Sequence, residues 1–279
     1  MQTRIRVTGG NVMFYHAKSG TVQLDGGKMD YVRFGTGNRN LVMLPGLGDS
    51  LRSVKGTAIP MALLYRCFAG DFTVYMFSRK DPLPAGYTTR DMARDQVQAM
   101  EKLGIERADI FGVSMGGMIA QWLAIDAPEK AEHLVLVVTC PEPNPILRES
   151  IGEWVTLARA GDTTGFMESN LLRIYSDGYC RRNMWMAPVV GWLTKPKSYD
   201  RFYIQADACL HHDAASQLHR IRAKTLVIGG WQDRALGGGA SRQLAAAIDG
   251  AKLKMYPQWG HGLYAEEKTF NRTVLRFLK

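Results

Sequence analysis

A serine hydroxyl attacks a carbonyl at neutral pH only when a base takes its proton and an acid orients that base. Three residues of this 279-residue chain stand in the order Ser, Asp, His that such chemistry uses. Ser114 lies in Gly112-Val113-Ser114-Met115-Gly116-Gly117, a G-x-S-x-G run. In such a turn the serine is held in a strained conformation, and the flanking glycines let a strand and a helix approach without Cβ clashes. Asp233, 119 positions later, lies in Gly229-Gly230-Trp231-Gln232-Asp233-Arg234, and His261, 28 positions further on, lies in Gln258-Trp259-Gly260-His261-Gly262. Glu142 is the alternative acid, and a glycine-rich turn of purely structural use is the alternative reading of the serine motif. His211 and His212 are adjacent and read most simply as an exposed polar loop.

An attacked carbonyl develops a negative oxygen that backbone donors can hold, each contributing about 3 kcal/mol. Leu44-Pro45-Gly46-Leu47-Gly48-Asp49-Ser50 has the form of such a loop. The N–H of Leu47 and that of Met115, just after the serine, are the expected donors. Asp49 is expected to cap a helix, or else to face the pocket entrance.

These residues need a common sheet edge, and the apolar pattern supplies one. From residue 40 short β-type runs alternate with helical-period segments, the signature of parallel strands joined by crossover helices. Strands are expected at Asn40 to Leu44, Phe72 to Phe77, Ala108 to Val113, His133 to Thr139, Lys224 to Ile228 and Lys252 to Tyr256. Ser114, Asp233 and His261 each follow the end of one of them. Helices are expected at about Thr88 to Leu103, with Thr88 and Asp91 at capping-box spacing, at Met118 to Ile125, and at Leu263 to Leu278. Val12 to Tyr15, Thr21 to Leu24 and Met29 to Phe34 read as antiparallel strands at one edge.

More than 80 residues separate the strand ending at Thr139 from the one starting at Lys224, far too many for an ordinary connection. The division expected is a core domain of residues 1–140 and 223–279 with a helical insertion at 141–222. Helices are expected within the insertion at Ile151 to Ala160, Thr164 to Tyr175 and Tyr199 to Ala208. Trp154, Trp185 and Trp192, with Met167, Met184 and Met186, suggest either an apolar pocket or the insertion's own small core.

Composition sets the outer bounds. With 46% hydrophobic and 22% charged residues the chain can form a substantial core. The net charge of +9 is spread over the chain: 16 basic against 13 acidic residues in 1–140, 10 against 9 in 141–222, and 9 against 4 in 223–279. There is no run of five like charges and no nucleic-acid module. Cys67, Cys140, Cys180 and Cys209 have spacings of neither a disulfide framework nor a zinc site, so reduced thiols are expected. No membrane span is visible and residues 1–7 lead into no apolar signal-like stretch, so a cytoplasmic location is expected.

From about residue 20 to 279 the chain resembles the α/β-hydrolase family, on the oxyanion loop Pro45 to Gly48, the serine turn Gly112 to Gly116, Asp233 and His261. The resemblance implies an α/β-hydrolase fold: an eight-stranded, mostly parallel sheet with a cap inserted after the sixth strand. It also implies serine-dependent hydrolysis of esters, of the carboxylesterase or enol-lactonase kind. The chain departs from many members in reading Pro-Gly where they carry His-Gly, so the histidine that often braces the oxyanion loop is missing. Relatives that open epoxides or remove halides are expected to place aspartate where Ser114 stands.

The expected function is therefore a serine hydrolase of a small-molecule ester, lactone or thioester, using Ser114, His261 and Asp233 and requiring no metal or organic cofactor. The same groups serve carbon–carbon bond hydrolysis and acyl transfer to an alcohol, and a small-molecule receptor on a hydrolase scaffold is the alternative of a different class.

Overall fold

The computed structural model describes residues 14–279, apart from the side chain of Thr194. Residues 1–7 and Val12 and Met13 of the first expected strand lie outside the described residues; Phe14 and Tyr15 form a turn at positive φ rather than a strand. Eight strands form one sheet: β1 (Lys18–Leu24), β2 (Gly27–Phe34), β3 (Arg39–Leu44), β4 (Phe72–Phe77), β5 (Ala108–Val113), β6 (Ala131–Val137), β7 (Lys224–Gly230) and β8 (Lys252–Tyr256). Their order is β1-β2-β4-β3-β5-β6-β7-β8. β2 runs antiparallel to both β1 and β4, and every other pairing is parallel.

The sequence explains this division. β4 and β5 are buried at every residue, as strands covered by helices on both faces must be. β1 alternates exposed and buried positions over most of its length, as befits an edge. Successive side chains of the central strands feed opposite core layers: Ile110, Leu134 and Leu136 pack on one face, Phe111, Val135 and Val137 on the other.

On the first face lie α2 (Thr89–Lys102) and α3 (Met115–Asp126). The expected capping box is present, with Thr88 Oγ1 accepting from the Asp91 N–H and the Asp91 carboxylate accepting from the Thr88 N–H. α3 is buried from Met115 to Ile125. The second face is covered by α1 (Ala58–Leu64), which the apolar pattern did not reveal, and by the C-terminal helices.

Two expected elements end differently. β6 stops at Val137 rather than Thr139, because Val138 takes φ 42° while donating its N–H to the Ile228 carbonyl. The C-terminal segment splits into a short helix at Leu263–Glu266 and a longer one at Phe270–Leu278. Between them the Glu267 carboxylate accepts from both the N–H and the hydroxyl of Thr269 and from Trp259 Nε1. Such local capture competes with helix continuation.

The insertion after β6 holds α4 (Pro145–Arg159), α5 (Thr163–Ile174), α6 (Asp177–Asn183), α7 (Ala187–Thr194) and α8 (Asp200–Leu210). Leu147, Ile151, Trp154, Phe166 and Phe202 of the insertion join the same apolar cluster as α2, α3 and the sheet. Its inner side therefore has no core separate from the sheet's. All four cysteines are free thiols. Among the described residues no helix is long and apolar enough to cross a membrane.

Candidate active site

Ser114 stands between the end of β5 and the start of α3 with φ 53° and ψ −121°, a region that a non-glycine residue occupies at a cost of about 1–3 kcal/mol. Three backbone bonds hold it there: its N–H donates to the Val137 carbonyl at 2.8 Å, and its carbonyl accepts from Gly117 at 2.8 Å and Met118 at 3.2 Å. The turn also needs a glycine at 116, where a Cβ would collide with the Leu44 carbonyl. Gly116→Ala is expected to lower stability by about 1–3 kcal/mol, seen as a lower urea midpoint at unchanged slope.

Beyond β7 and β8 the loops bring Asp233 and His261 together. His261 Nδ1 lies 2.8 Å from Asp233 Oδ2, with both side chains buried. Asp233 Oδ1 accepts from the N–H groups of Ala235 and Leu236, each at 2.9 Å. The carboxylate is thereby locked, and with Nδ1–H donating to it, Nε2 is left as the acceptor. Glu142 is exposed and hydrogen-bonded to Gln243, remote from this pair in its partners. Among the described residues no Ser114–His261 hydrogen bond is formed, although both side chains line one pocket; such bonds tighten in substrate complexes.

That pocket has a volume of about 420 Å³, within the range of small-molecule sites. Met61, Leu64 and Tyr65 of the α1 region line one side, and Trp154, Phe166, Asn170, Ile174 and Phe202 from the insertion line another. Tyr65 is buried and Tyr264 half-buried at its edge. Burial pushes the Tyr65 phenol up to about 12 and raises Tyr264 as well, so both hydroxyls stay protonated.

The loop from Pro45 packs directly on the serine: a Cβ at Gly46 would lie 3.3 Å from Ser114 Cβ. Leu47 opens a short 3-10 turn at Leu47–Ser50, and Met115 opens α3. First residues of helical segments have N–H groups without intrahelical partners, so both are available beside Ser114. The loop from Pro45 is held by a contact that the motifs did not reveal. The buried Arg79 donates through Nη2 to the Pro45 carbonyl, and its backbone N–H donates to Asp49 Oδ2 at 2.9 Å.

Asp49 is accordingly a buried acceptor and not a helix N-cap, contrary to the expectation from its loop position. Its Oδ2 also accepts from Arg201 Nη2 at 3.0 Å. Arg201, on α8, donates in addition to the carbonyls of Arg79 and Lys80, tying the insertion to the loop that follows β3. A second tie joins the Ile174 carbonyl at the end of α5 to the N–H of Gly262, next to His261. Neither had a sequence signal, because each joins residues far apart in the chain.

Two further expectations are corrected. Trp154 is buried and lines the pocket, but Trp185 and Trp192 are exposed and belong neither to it nor to a core. His212 is buried rather than exposed, with Nδ1 2.9 Å from Thr89 Oγ1 and Nε2 3.4 Å from Gln121 Oε1. His211 is exposed, as expected.

Burial pulls the His212 pKa down to about 3, against about 6.5 in an unfolded chain. Below pH 6.5 the unfolded state takes up a proton that the folded state refuses. Stability is therefore expected to fall between about pH 6.5 and 3, by at most about 1.4 kcal/mol for each pH unit. Denaturant unfolding across that range should show a steeper acid loss in the wild type than in His212→Gln, the difference removing the share due to carboxylates.

The profile of the family described as alpha/beta hydrolase fold matches residues 39–268. A protein carrying the name carbamate hydrolase RutD, from Variovorax paradoxus, is 28% identical over 204 residues, covering 70% of this chain and 75% of its own length. The enol-lactonase from Burkholderia xenovorans LB400 superposes with a TM-score of 0.79 at 22% identity, over 93% of this chain and 99% of that one. MGS-M2, an alpha/beta hydrolase enzyme from a Medee basin deep-sea metagenome library, gives 0.83 at 22% identity, over 93% and 97%. At such identities the likeness to the two structures is one of fold.

Proposed function

The chain belongs to the α/β-hydrolase fold family, and from that premise we propose that it is a serine hydrolase cleaving a small carboxylic ester, lactone or thioester through an acyl-enzyme intermediate. Ser114 Oγ attacks the acyl carbonyl while His261 Nε2 takes its proton. The N–H groups of Leu47 and Met115 hold the resulting oxyanion. Collapse breaks the bond to the leaving group, which departs with the proton from His261. Water, deprotonated by the same imidazole, then attacks the acyl carbon, and the acid is released as Ser114 recovers its proton. Asp233 keeps His261 in the required tautomer and stabilises its charged form.

The observation that carries this reading is the buried His261–Asp233 pair, whose histidine lines the same pocket as Ser114. Residues 141–222 act as a cap over a core of 1–140 and 223–279, selecting the acyl or alcohol part with Trp154, Phe166 and Phe202. The pocket's size and apolar walls favour a small, largely apolar substrate.

The test is a series of p-nitrophenyl esters of increasing acyl length, together with a p-nitrophenyl carbamate, which samples the chemistry in the RutD relative's name. Multiple turnovers on at least one member, and one-to-one labelling by a fluorophosphonate mapped to Ser114, are expected. Inertness to every substrate together with absence of labelling would overturn the proposal, and would favour a receptor that binds without turnover.

A further inference from the structure

Trp185 and Trp192 are each 74% exposed and Leu193 is 66% exposed, the reverse of where large apolar side chains settle in a water-soluble domain. Trp185 lies in a 3-10 turn just before α7, and for Trp192 and Leu193 the cause lies in the pattern of α7. Ala187 and Gly191 are buried and Val190 is half-buried, on the side that packs against α5, while Pro188, Val189, Trp192 and Leu193 face outward. An amphipathic helix of a globular domain places its large apolar residues inward. This one shows the small residues to the protein and the large ones to its surroundings.

Within the segment that carries the patch the charges have one sign, with the exposed Asp177 and Asp200 standing at its two ends. Residues 178–199 contain Arg181, Arg182, Lys195 and Lys197 and no Asp or Glu. All four basic side chains are exposed, and none has an acidic partner among the described residues. We propose that this face of the insertion is a docking surface for an anionic lipid bilayer, with α7 lying in the plane of the interface. Indole rings suit that boundary, with an apolar body toward the acyl chains and a polar edge toward the headgroups. Basic flanks add attraction to anionic headgroups. A second copy of the chain is a poorer occupant, because two faces that each carry an excess of basic over acidic side chains would oppose one another.

Such docking is distinct from spanning and agrees with the lack of a membrane-crossing helix among the described residues. It places the pocket one helix from the lipid, since α5 carries α7 and also lines the pocket through Phe166, Asn170 and Ile174.

The experiment is co-sedimentation of the full chain with vesicles of phosphatidylcholine alone and of phosphatidylcholine mixed with phosphatidylglycerol. It uses the wild type, Trp185→Ser/Trp192→Ser, and Arg181→Glu/Lys195→Glu, with melting midpoints to confirm that each variant folds. Expected are binding to the anionic vesicles that weakens with added salt, a blue shift of tryptophan emission on binding, and a loss of about tenfold or more in affinity for each double variant. Absence of binding to anionic vesicles, or equal binding by the tryptophan variant, would overturn the proposal. So would a wild-type dimer that Trp192→Ser dissociates in the absence of lipid, which would make a second copy the occupant. The readout is binding, so its failure is separate from any failure of the Ser114 chemistry.

Discussion

Replacing Ser114 with alanine is expected to lower kcat by about 10⁶ on whichever p-nitrophenyl ester the wild type turns over best. The size follows from the way the residues act as a unit. Without Oγ there is no acyl-enzyme, and His261 and the oxyanion donors retain only the residual acceleration that positioning and electrostatics supply, about 10³–10⁴ over water. The backbone should not change. Ser114 is held by bonds from its own N–H and carbonyl, and alanine meets the same φ of 53° that serine does. The measurement pairs initial rates with the pre-steady-state burst of p-nitrophenol, which should vanish in Ser114→Ala. A variant that folds and keeps wild-type turnover would remove Ser114 from the mechanism.

Asp233→Asn is expected to reduce kcat by about 10⁴ with little change in fold. The Asp233 carboxylate spends one oxygen on His261 Nδ1 and the other on the N–H groups of Ala235 and Leu236. An asparagine oriented to keep the two backbone donors must turn its NH₂ toward Nδ1. The imidazole then carries its proton on Nε2, the atom that must accept from Ser114. Activity should recover partly at high pH, where the lost assistance to deprotonation matters less, a response that mere structural damage would not give. Glu142→Gln supplies the contrast: exposed and bonded to Gln243, it should leave the rate essentially unchanged. Equal losses in both variants would count against Asp233 as the orienting acid.

Much of this arrangement was legible from local chemistry. Strands β4 to β7 carry short apolar runs bounded by turn residues, so their existence needs no long-range information, although β6 ends early where Val138 adopts positive φ. The C-terminal helix was expected to be continuous because its apolar period is; the Glu267 carboxylate, competing for the Thr269 N–H, divides it. α1 gives no helical signal because its apolar residues point all round it, to the core, to the pocket and, at Ile59 and Leu63, to solvent.

The sequence by itself determined the order of chemistry along the chain: a serine in a glycine turn, then an aspartate and a histidine, each just past a strand. Parallel strands carry such loops to one edge of the sheet, which is why linear order was enough to bring Ser114 and His261 to a common pocket with Asp233 behind the histidine. Only the tertiary structure decided which carboxylate meets His261, because Asp233 and Glu142 both follow strands and differ in the direction their loops take. It also decided that Arg79 donates to the Pro45 carbonyl and that Arg201 reaches Asp49 from α8, contacts between residues 34 and 152 positions apart that no local pattern encodes. The same holds for the tryptophans of the insertion. Composition says that an apolar surface exists, and only packing assigns Trp154 to the pocket and leaves Trp185 and Trp192 facing outward.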